Sequence, residues 1–76
     1  MSEKIVRERI KELMSKYELI NDDFSDEIDS ITFISLTVDI EDEFDIVIEE
    51  EKLIISEFAN LDSIAEYVFE RRSRVI

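Results

Sequence analysis

The sequence contains no glycine and no proline in its 76 residues. Tight hairpins usually need these residues at their turns, so a β-sandwich or β-barrel is disfavoured. The glycine-rich loops that bind phosphate in P-loop and dinucleotide-binding proteins are excluded for the same reason. An EF-hand calcium loop needs a glycine at its sharp turn, which argues against a calcium sensor although residues 21–27 are rich in carboxylates.

The chain also contains no cysteine and no histidine. It therefore has no disulfide, no thiolate nucleophile, no general base that titrates near neutral pH and none of the commonest metal ligands. We expect a protein that is not an enzyme and has no metal site. Because it lacks both a long apolar run and a signal-peptide core, we expect a soluble cytoplasmic protein without a membrane span.

Negative charge is what the sequence has in excess. Its 21 Asp and Glu residues against 9 Lys and Arg residues give a net charge of −12. The distribution is uneven, since Lys52 is the only basic residue between Tyr17 and Glu70. Such a field repels nucleic acid and anionic lipid and attracts basic protein surfaces, so we expect protein partners, no nucleic acid and no membrane surface.

The apolar spacing predicts an all-α fold over residues 1–76, a small four-helix bundle with a long loop after the first helix and a short third helix. The first helix is predicted from about Glu3 to Tyr17, with apolar residues spaced by three and four. They are Val6, Ile10, Leu13 and Tyr17. The long connection from Glu18 to Asp29 carries four apolar residues that we expect to hold it on the core. They are Leu19, Ile20, Phe24 and Ile28.

The second helix is predicted from Ser30 to about Phe44, with Asp29 and Ser30 both at its start. One of its two apolar stripes is expected in the core, and the stripe comprises Phe33, Leu36, Thr37, Ile40 and Phe44. The other consists of Ile31, Ile34 and Val38, continued by Glu41 and Asp42. This second stripe is typical of a docking surface, with a wide buried face as the alternative.

After this helix, residues 45–48 favour a loop that Ile46 and Ile48 hold on the core. A short helical turn is expected over residues 56–59. The last helix is predicted from Leu61 to about Arg72, with Asn60 as its N-cap.

Ser30 is the candidate functional residue. The start of a helix favours an anionic phosphodiester, because backbone N–H groups and the positive end of the helix dipole meet there. Taken alone, the Asp29-Ser30 pair is also typical of an ordinary helix cap.

Three segments in register resemble the acyl carrier proteins of fatty acid and polyketide synthesis. Asp29-Ser30-Ile31 is similar to their Asp-Ser-Leu motif, residues 42–48 to the acidic segment that closes their second helix, and residues 61–68 to their final helix. The resemblance implies that Ser30 carries 4′-phosphopantetheine and that Asp29 serves recognition by the phosphopantetheinyl transferase. It also implies a partner interface formed by Ile31, Ile34, Ser35, Val38, Asp39, Glu41 and Asp42.

On this resemblance, the arm would hold acyl or aminoacyl intermediates as thioesters. The expected partners are the transferase and the loading and condensing enzymes, with basic docking surfaces, and we expect a monomer. The chain departs from the family in having Glu27-Ile28 where a glycine is usual, Thr32 at an often acidic position, and a bulky Phe33, which favours a specialised pathway. The alternative is an acidic helical adaptor with the same fold and an unmodified Ser30.

Overall fold

A computed structural model describes residues 2–73, and these form four α-helices and one 3₁₀ turn. The helices are α1 (Glu3–Lys16), α2 (Ser30–Phe44), α3 (Ile55–Phe58) and α4 (Leu61–Ser73), and the 3₁₀ turn spans Glu50–Lys52. The predicted all-α bundle, with its long loop after α1 and its short α3, is confirmed. The 3₁₀ turn was not predicted. Within the described residues, none of the helices has the length and apolarity that crossing a membrane requires.

The core lies between α1, α2 and α4. Helix α1 contributes Val6, Ile10 and Met14, all nearly inaccessible to solvent, while Leu13 and Tyr17 are partly buried. The predicted core stripe of α2 is confirmed, because every one of its residues is buried. From α4 the buried residues are Leu61, Ile64, Ala65 and Val68.

Helix α1 ends in a left-handed turn, in which Glu18 has φ 62°. The Leu19 N–H donates to the Met14 carbonyl and the Glu18 N–H to the Ser15 carbonyl, each at 3.0 Å, which is a Schellman motif. In the loop that follows, Leu19, Phe24 and Ile28 are buried as expected. The prediction for Ile20 is wrong, since 86% of its surface is exposed.

The loop from α1 to α2 is tied to the junction of α3 and α4. The Phe24 N–H donates to the Ala59 carbonyl at 3.0 Å, and the Leu61 N–H donates to the Asp22 carbonyl at 2.7 Å. Asn60 caps α4 as predicted, because its Oδ1 accepts the Ser63 N–H at 2.8 Å. These bonds hold the segment before α2 against the bundle, and they fix where α2 begins.

Helix α2 also ends in a left-handed residue, Asp45, with φ 53°. Two groups then hold its end in place. The Glu41 carboxylate accepts the Ile48 N–H at 2.8 Å, and Arg72 of α4 donates to the Phe44 carbonyl at 3.1 Å. Ile48 is buried and Ile46 packs against the core, so the predicted attachment of this loop is confirmed.

Candidate functional site: the start and outward face of α2

Ser30 is the first residue of α2, and its side chain is exposed. Asp29 precedes it with extended backbone (φ −91°, ψ 171°) and acts as the N-cap, its Oδ1 accepting the Thr32 N–H at 2.7 Å. This hydrogen bond holds the pKa of the Asp29 carboxyl below its usual value. The sequence placed both residues at the helix start, and the structure assigns the capping to Asp29, which leaves the Ser30 hydroxyl available.

A phosphodiester on Ser30 fits this site as an exposed group. The hydroxyl is accessible, and the position lies at the positive end of a 15-residue helix, which favours an anion. One amide of the first turn is already occupied, because Asp29 accepts the Thr32 N–H. An added phosphate would therefore project outward from the helix start rather than lie in a full cradle of backbone amides.

Beyond Ser30, the outward face of α2 is apolar. Ile31 is 81% exposed, Ile34 47% and Val38 46%. Their spacing of three and four residues places them on one side of the helix, opposite the core stripe. The predicted second stripe is therefore exposed, and the alternative of a single wide buried face is wrong. Exposed Ser35 and Asp42 lie beside this stripe.

Asp39 lies on the flank of α2 that faces α1. Its Oδ2 accepts the Tyr17 hydroxyl at 2.5 Å and the Lys16 ammonium at 3.1 Å. These bonds lower the pKa of Asp39, chiefly through the Tyr17 hydroxyl, and raise the pKa of Tyr17, chiefly through the Asp39 carboxylate. The Asp39 side chain is only 23% exposed. It therefore serves a contact between two helices.

Of the remaining acidic residues of α2, two bind other groups within residues 2–73 and one does not. Glu41 binds the Ile48 N–H on one flank, and Glu43 forms an ion pair with Arg9 of α1 at 2.9 Å on the other. Asp42 forms neither a hydrogen bond nor an ion pair with any residue in the range 2–73. The structure thus brings most of the predicted interface together but turns Asp39 and Glu41 towards other parts of the chain.

The internal partners of these carboxylates were missed from the sequence. The sequence pattern places Tyr17 on the apolar face of α1, and it contains no signal for the hydrogen bond from the Tyr17 hydroxyl to Asp39. Lys16 lies 23 residues before its partner Asp39, and Arg9 lies 34 residues before its partner Glu43. Helical periodicity does not indicate contacts between residues so far apart in the sequence.

A surface groove of about 290 Å³ lies between the 3₁₀ turn, α3 and α4. Its aromatic floor is formed by Phe58 and Tyr67, whose rings meet edge to face at 5.7 Å. None of its lining residues belongs to α2. Across residues 2–73, no group of three or more metal-ligating side chains is arranged to hold a metal ion.

The chain is thus a small helical bundle with an exposed serine at the start of α2. Residues 4–68 match the family model described as the phosphopantetheine attachment site, and the chain belongs to this family. Searches of the curated proteins and of the solved structures gave no match. The prosthetic group of the family is 4′-phosphopantetheine, and the protein is a phosphopantetheine-carrying carrier protein.

Proposed function

We propose that the Oγ of Ser30 is the attachment point of 4′-phosphopantetheine. The observation that carries this proposal is the exposed hydroxyl at the start of α2, within the residues that match the family. The arm supplies the thiol that this chain lacks, on which acyl or aminoacyl cargo is held as a thioester. The protein then carries such intermediates between enzymes of a fatty acid, polyketide or related specialised pathway.

The surroundings of several other serines make them poorer candidates for the attachment than Ser30. The Ser15 hydroxyl donates to the Lys11 carbonyl at 3.0 Å, and the Ser25 hydroxyl donates to Asp23 at 2.8 Å. Ser2 caps α1 by accepting the Ile5 N–H. Each of these hydroxyls already has a local structural role. Ser35 is exposed but lies inside α2, away from the positive end of the helix.

The attachment forms a phosphoester bond to the serine and breaks the phosphoanhydride bond of coenzyme A. The Ser30 Oγ attacks the phosphorus of coenzyme A that bears the pantetheine, and an Oγ–P bond forms. The pyrophosphate P–O bond breaks, and adenosine 3′,5′-bisphosphate leaves. The serine proton passes to a base that the transferase supplies. Asp29 contributes by fixing the helix start and by offering a carboxylate for recognition by that enzyme.

The proposed partners are the phosphopantetheinyl transferase and the loading and condensing enzymes of the pathway. A net charge of −12 steers proteins with basic surfaces towards the carrier from a distance. The tether then replaces encounters in solution by a high effective concentration at each enzyme. The folded chain itself only positions the attachment point.

Intact-mass measurement after incubation with coenzyme A, magnesium and a broad-specificity transferase tests the proposal. We expect the wild type to gain one phosphopantetheine and Ser30→Ala to gain none. Ser35→Ala removes an exposed hydroxyl on the same helix and is the matched control, which should be modified like the wild type. Modification of Ser30→Ala would place the arm elsewhere, and an unmodified wild type with several transferases would favour the adaptor without an arm.

A further inference from the structure

The groove between the 3₁₀ turn, α3 and α4 combines an aromatic floor with an acidic rim. Phe58 and Tyr67 form the floor, and Ile54 adds an aliphatic side chain that is 45% exposed. The rim carries four carboxylates against one ammonium, that of Lys52. The carboxylates belong to exposed residues, which are Glu51, Glu57, Glu66 and Glu70. Such a groove is complementary to a side chain with an apolar stem and a positively charged end.

The rim carboxylates are poorly neutralised within the fold. Glu57, Glu66 and Glu70 form no ion pair with any residue in the described range 2–73. Glu66 and Glu70 are four residues apart on α4, a spacing at which like charges repel. Glu51 contacts Glu49, and this contact between two carboxylates raises the pKa of Glu51. A cation placed among these groups would therefore relieve repulsion that the folded chain already contains.

The surface next to the groove already binds a guanidinium. Arg71 lies in a hollow that adjoins the groove and shares four lining residues with it. Its guanidinium stacks over the Tyr67 ring at 5.1 Å, donates from Nη2 to the Tyr67 hydroxyl at 2.9 Å and pairs with Glu49. Arginine favours such surroundings, because its planar group both stacks on aromatic rings and donates to carboxylates. Arg71 is thus an example, within the chain itself, of the group that this surface binds.

We propose that the groove binds a basic side chain, in the first place an arginine, on a segment of a partner protein. None of the lining residues belongs to α2, so this contact is separate from the helix that begins at Ser30. A second contact of this kind keeps the carrier near its enzyme, because it raises the effective concentration at the first. Binding in the groove does not require the attachment at Ser30, so the two proposals can fail separately.

The size and openness of the groove favour a single side chain over a whole small molecule. Its volume of about 290 Å³ lies at the lower limit of small-molecule sites, which hold roughly 300–1,000 Å³. Because the groove is open to solvent, the backbone that carries the side chain can remain outside it. A free inorganic cation would lack the apolar contacts that an arginine stem makes with Ile54 and Phe58. The net charge of −12 also draws basic segments towards the chain.

Amide NMR spectra of the isotope-labelled protein, titrated with a capped peptide, test the inference. The probe is acetyl-Ala-Leu-Arg-Leu-Ala-amide, and its control has citrulline in place of arginine, which removes only the charge. We expect the arginine peptide to shift signals of residues 51–57 and 63–70 saturably, with a Kd on the order of 1 mM, because one side chain buries little surface. The citrulline peptide should bind at least about fivefold more weakly, since it cannot form charge-assisted hydrogen bonds. Ser30→Ala should bind the arginine peptide like the wild type, which separates this result from the test of the attachment.

Two double variants distinguish a local contact from general attraction by the acidic surface. Glu57→Gln/Glu66→Gln removes two of the four rim charges and should raise the Kd of the arginine peptide about fivefold, since each exposed ion pair contributes little. Glu8→Gln/Glu12→Gln removes the same charge from exposed sites on α1 and should raise the Kd less than about twofold at physiological salt, because distant charges are screened. Equal effects of the two double variants would overturn the inference.

A second pair of variants tests the apolar part of the contact. Ile54→Ser should raise the Kd of the arginine peptide, whereas Val47→Ser, which changes a side chain 74% exposed outside the groove, should leave it unchanged. Both side chains are exposed, so the variants should fold, and thermal melting checks this. Equal binding of the arginine and citrulline peptides, or signal changes confined to α2, would contradict the proposal. A wild type without saturable binding up to about 10 mM peptide would refute it as well.

Discussion

Within residues 2–73 of this glycine-free chain, two residues adopt the left-handed conformation that glycine usually provides. Glu18 ends α1 with φ 62° and Asp45 ends α2 with φ 53°. For a residue with a Cβ this conformation costs about 1–2 kcal/mol, although Asp tolerates it better than Glu. Both positions close the helix through hydrogen bonds to the last carbonyls, so the turn is retained despite this cost.

We therefore expect Glu18→Gly to stabilise the protein by about 0.5–1 kcal/mol. Relief of the left-handed strain exceeds the entropy that glycine adds to the unfolded chain. Glu12→Gly, at an exposed site inside α1, is the control, and it should destabilise by about 1 kcal/mol. Urea unfolding followed by circular dichroism measures both, and a loss of stability with Glu18→Gly would contradict the strain argument.

Asp29 makes the stability of α2 dependent on pH. Its folded-state pKa is lowered by the hydrogen bond from the Thr32 N–H, so its contribution is present above the unfolded pKa of about 3.9 and is lost as pH falls through the folded pKa. In urea unfolding between pH 6 and 2.5, Asp29→Asn should remove this part of the decline while its amide oxygen still caps the helix. Asp26→Asn, at an exposed site in the preceding loop, should leave the decline closer to that of the wild type.

At the scale of the elements, a polar clamp joins the end of α1 to the middle of α2. The Tyr17 hydroxyl and the Lys16 ammonium both bind Asp39, while Arg9 pairs with Glu43 one turn further along α2. Together these bonds align the two helices on one flank of the core. They also keep α2 in a fixed rotation, so that its aliphatic stripe points outward beside Ser30.

Removing the Tyr17 hydroxyl should weaken this clamp. We expect Tyr17→Phe to lower the free energy of unfolding by about 1 kcal/mol, the usual contribution of one hydrogen bond. Because Tyr17 is the main cause of the lowered pKa of Asp39, the variant should also lose less stability than the wild type as pH falls from 6 to 3. Asp42→Asn is the matched carboxylate control on α2 and should leave stability nearly unchanged. Equal effects of Tyr17→Phe and Asp42→Asn would show that the clamp does not stabilise the fold.

The elements differ in how well the sequence predicts them. In α2 the two apolar stripes follow from helical spacing, because burial and exposure alternate with the period of the helix. The 3₁₀ turn at Glu50–Lys52 has no buried residue and therefore no apolar pattern to reveal it. Ile20 is apolar but lies in a loop without a period, so its exposure could not be inferred.

In the candidate site too, some features follow from the local sequence and others depend on tertiary contacts. The placement of Ser30 at a helix start and the outward direction of Ile31 and Ile34 depend on local sequence. The bonding of Asp39 and Glu41 depends on Tyr17 and on the loop after α2, which the bundle brings close only when it folds. Local patterns therefore predicted that Ser30 lies at a helix start, whereas finding which charges around it are available needed the tertiary structure.

At the scale of the whole molecule, most cations of α1 form ion pairs with carboxylates of other helices. Arg7 pairs with Asp62 of α4 at 2.8 Å, and Arg9 and Lys16 pair with carboxylates of α2. In the last turn of α4, Arg71 stacks over the Tyr67 ring at 5.1 Å and pairs with Glu49. Because these cations already pair with carboxylates of other elements, few positive charges remain to balance the negative charge of the rest of the surface.

Salt should therefore stabilise this protein. Exposed ion pairs contribute at most about 1 kcal/mol each to stability. The 21 carboxylates outnumber the 9 basic residues, so repulsion among the carboxylates acts throughout the folded chain. Raising the ionic strength from about 10 to 150 mM shortens the screening length from about 30 to 8 Å, so repulsion across the molecule is reduced more than contacts within a pair. We expect the melting temperature to rise over this range, and to rise less in Glu50→Gln/Glu51→Gln, where Glu51 also has a pKa raised by contact with Glu49. A melting temperature that falls with salt would mean that the ion pairs of α1 outweigh the repulsion, and the acidic surface would then be a minor term in the stability of the fold.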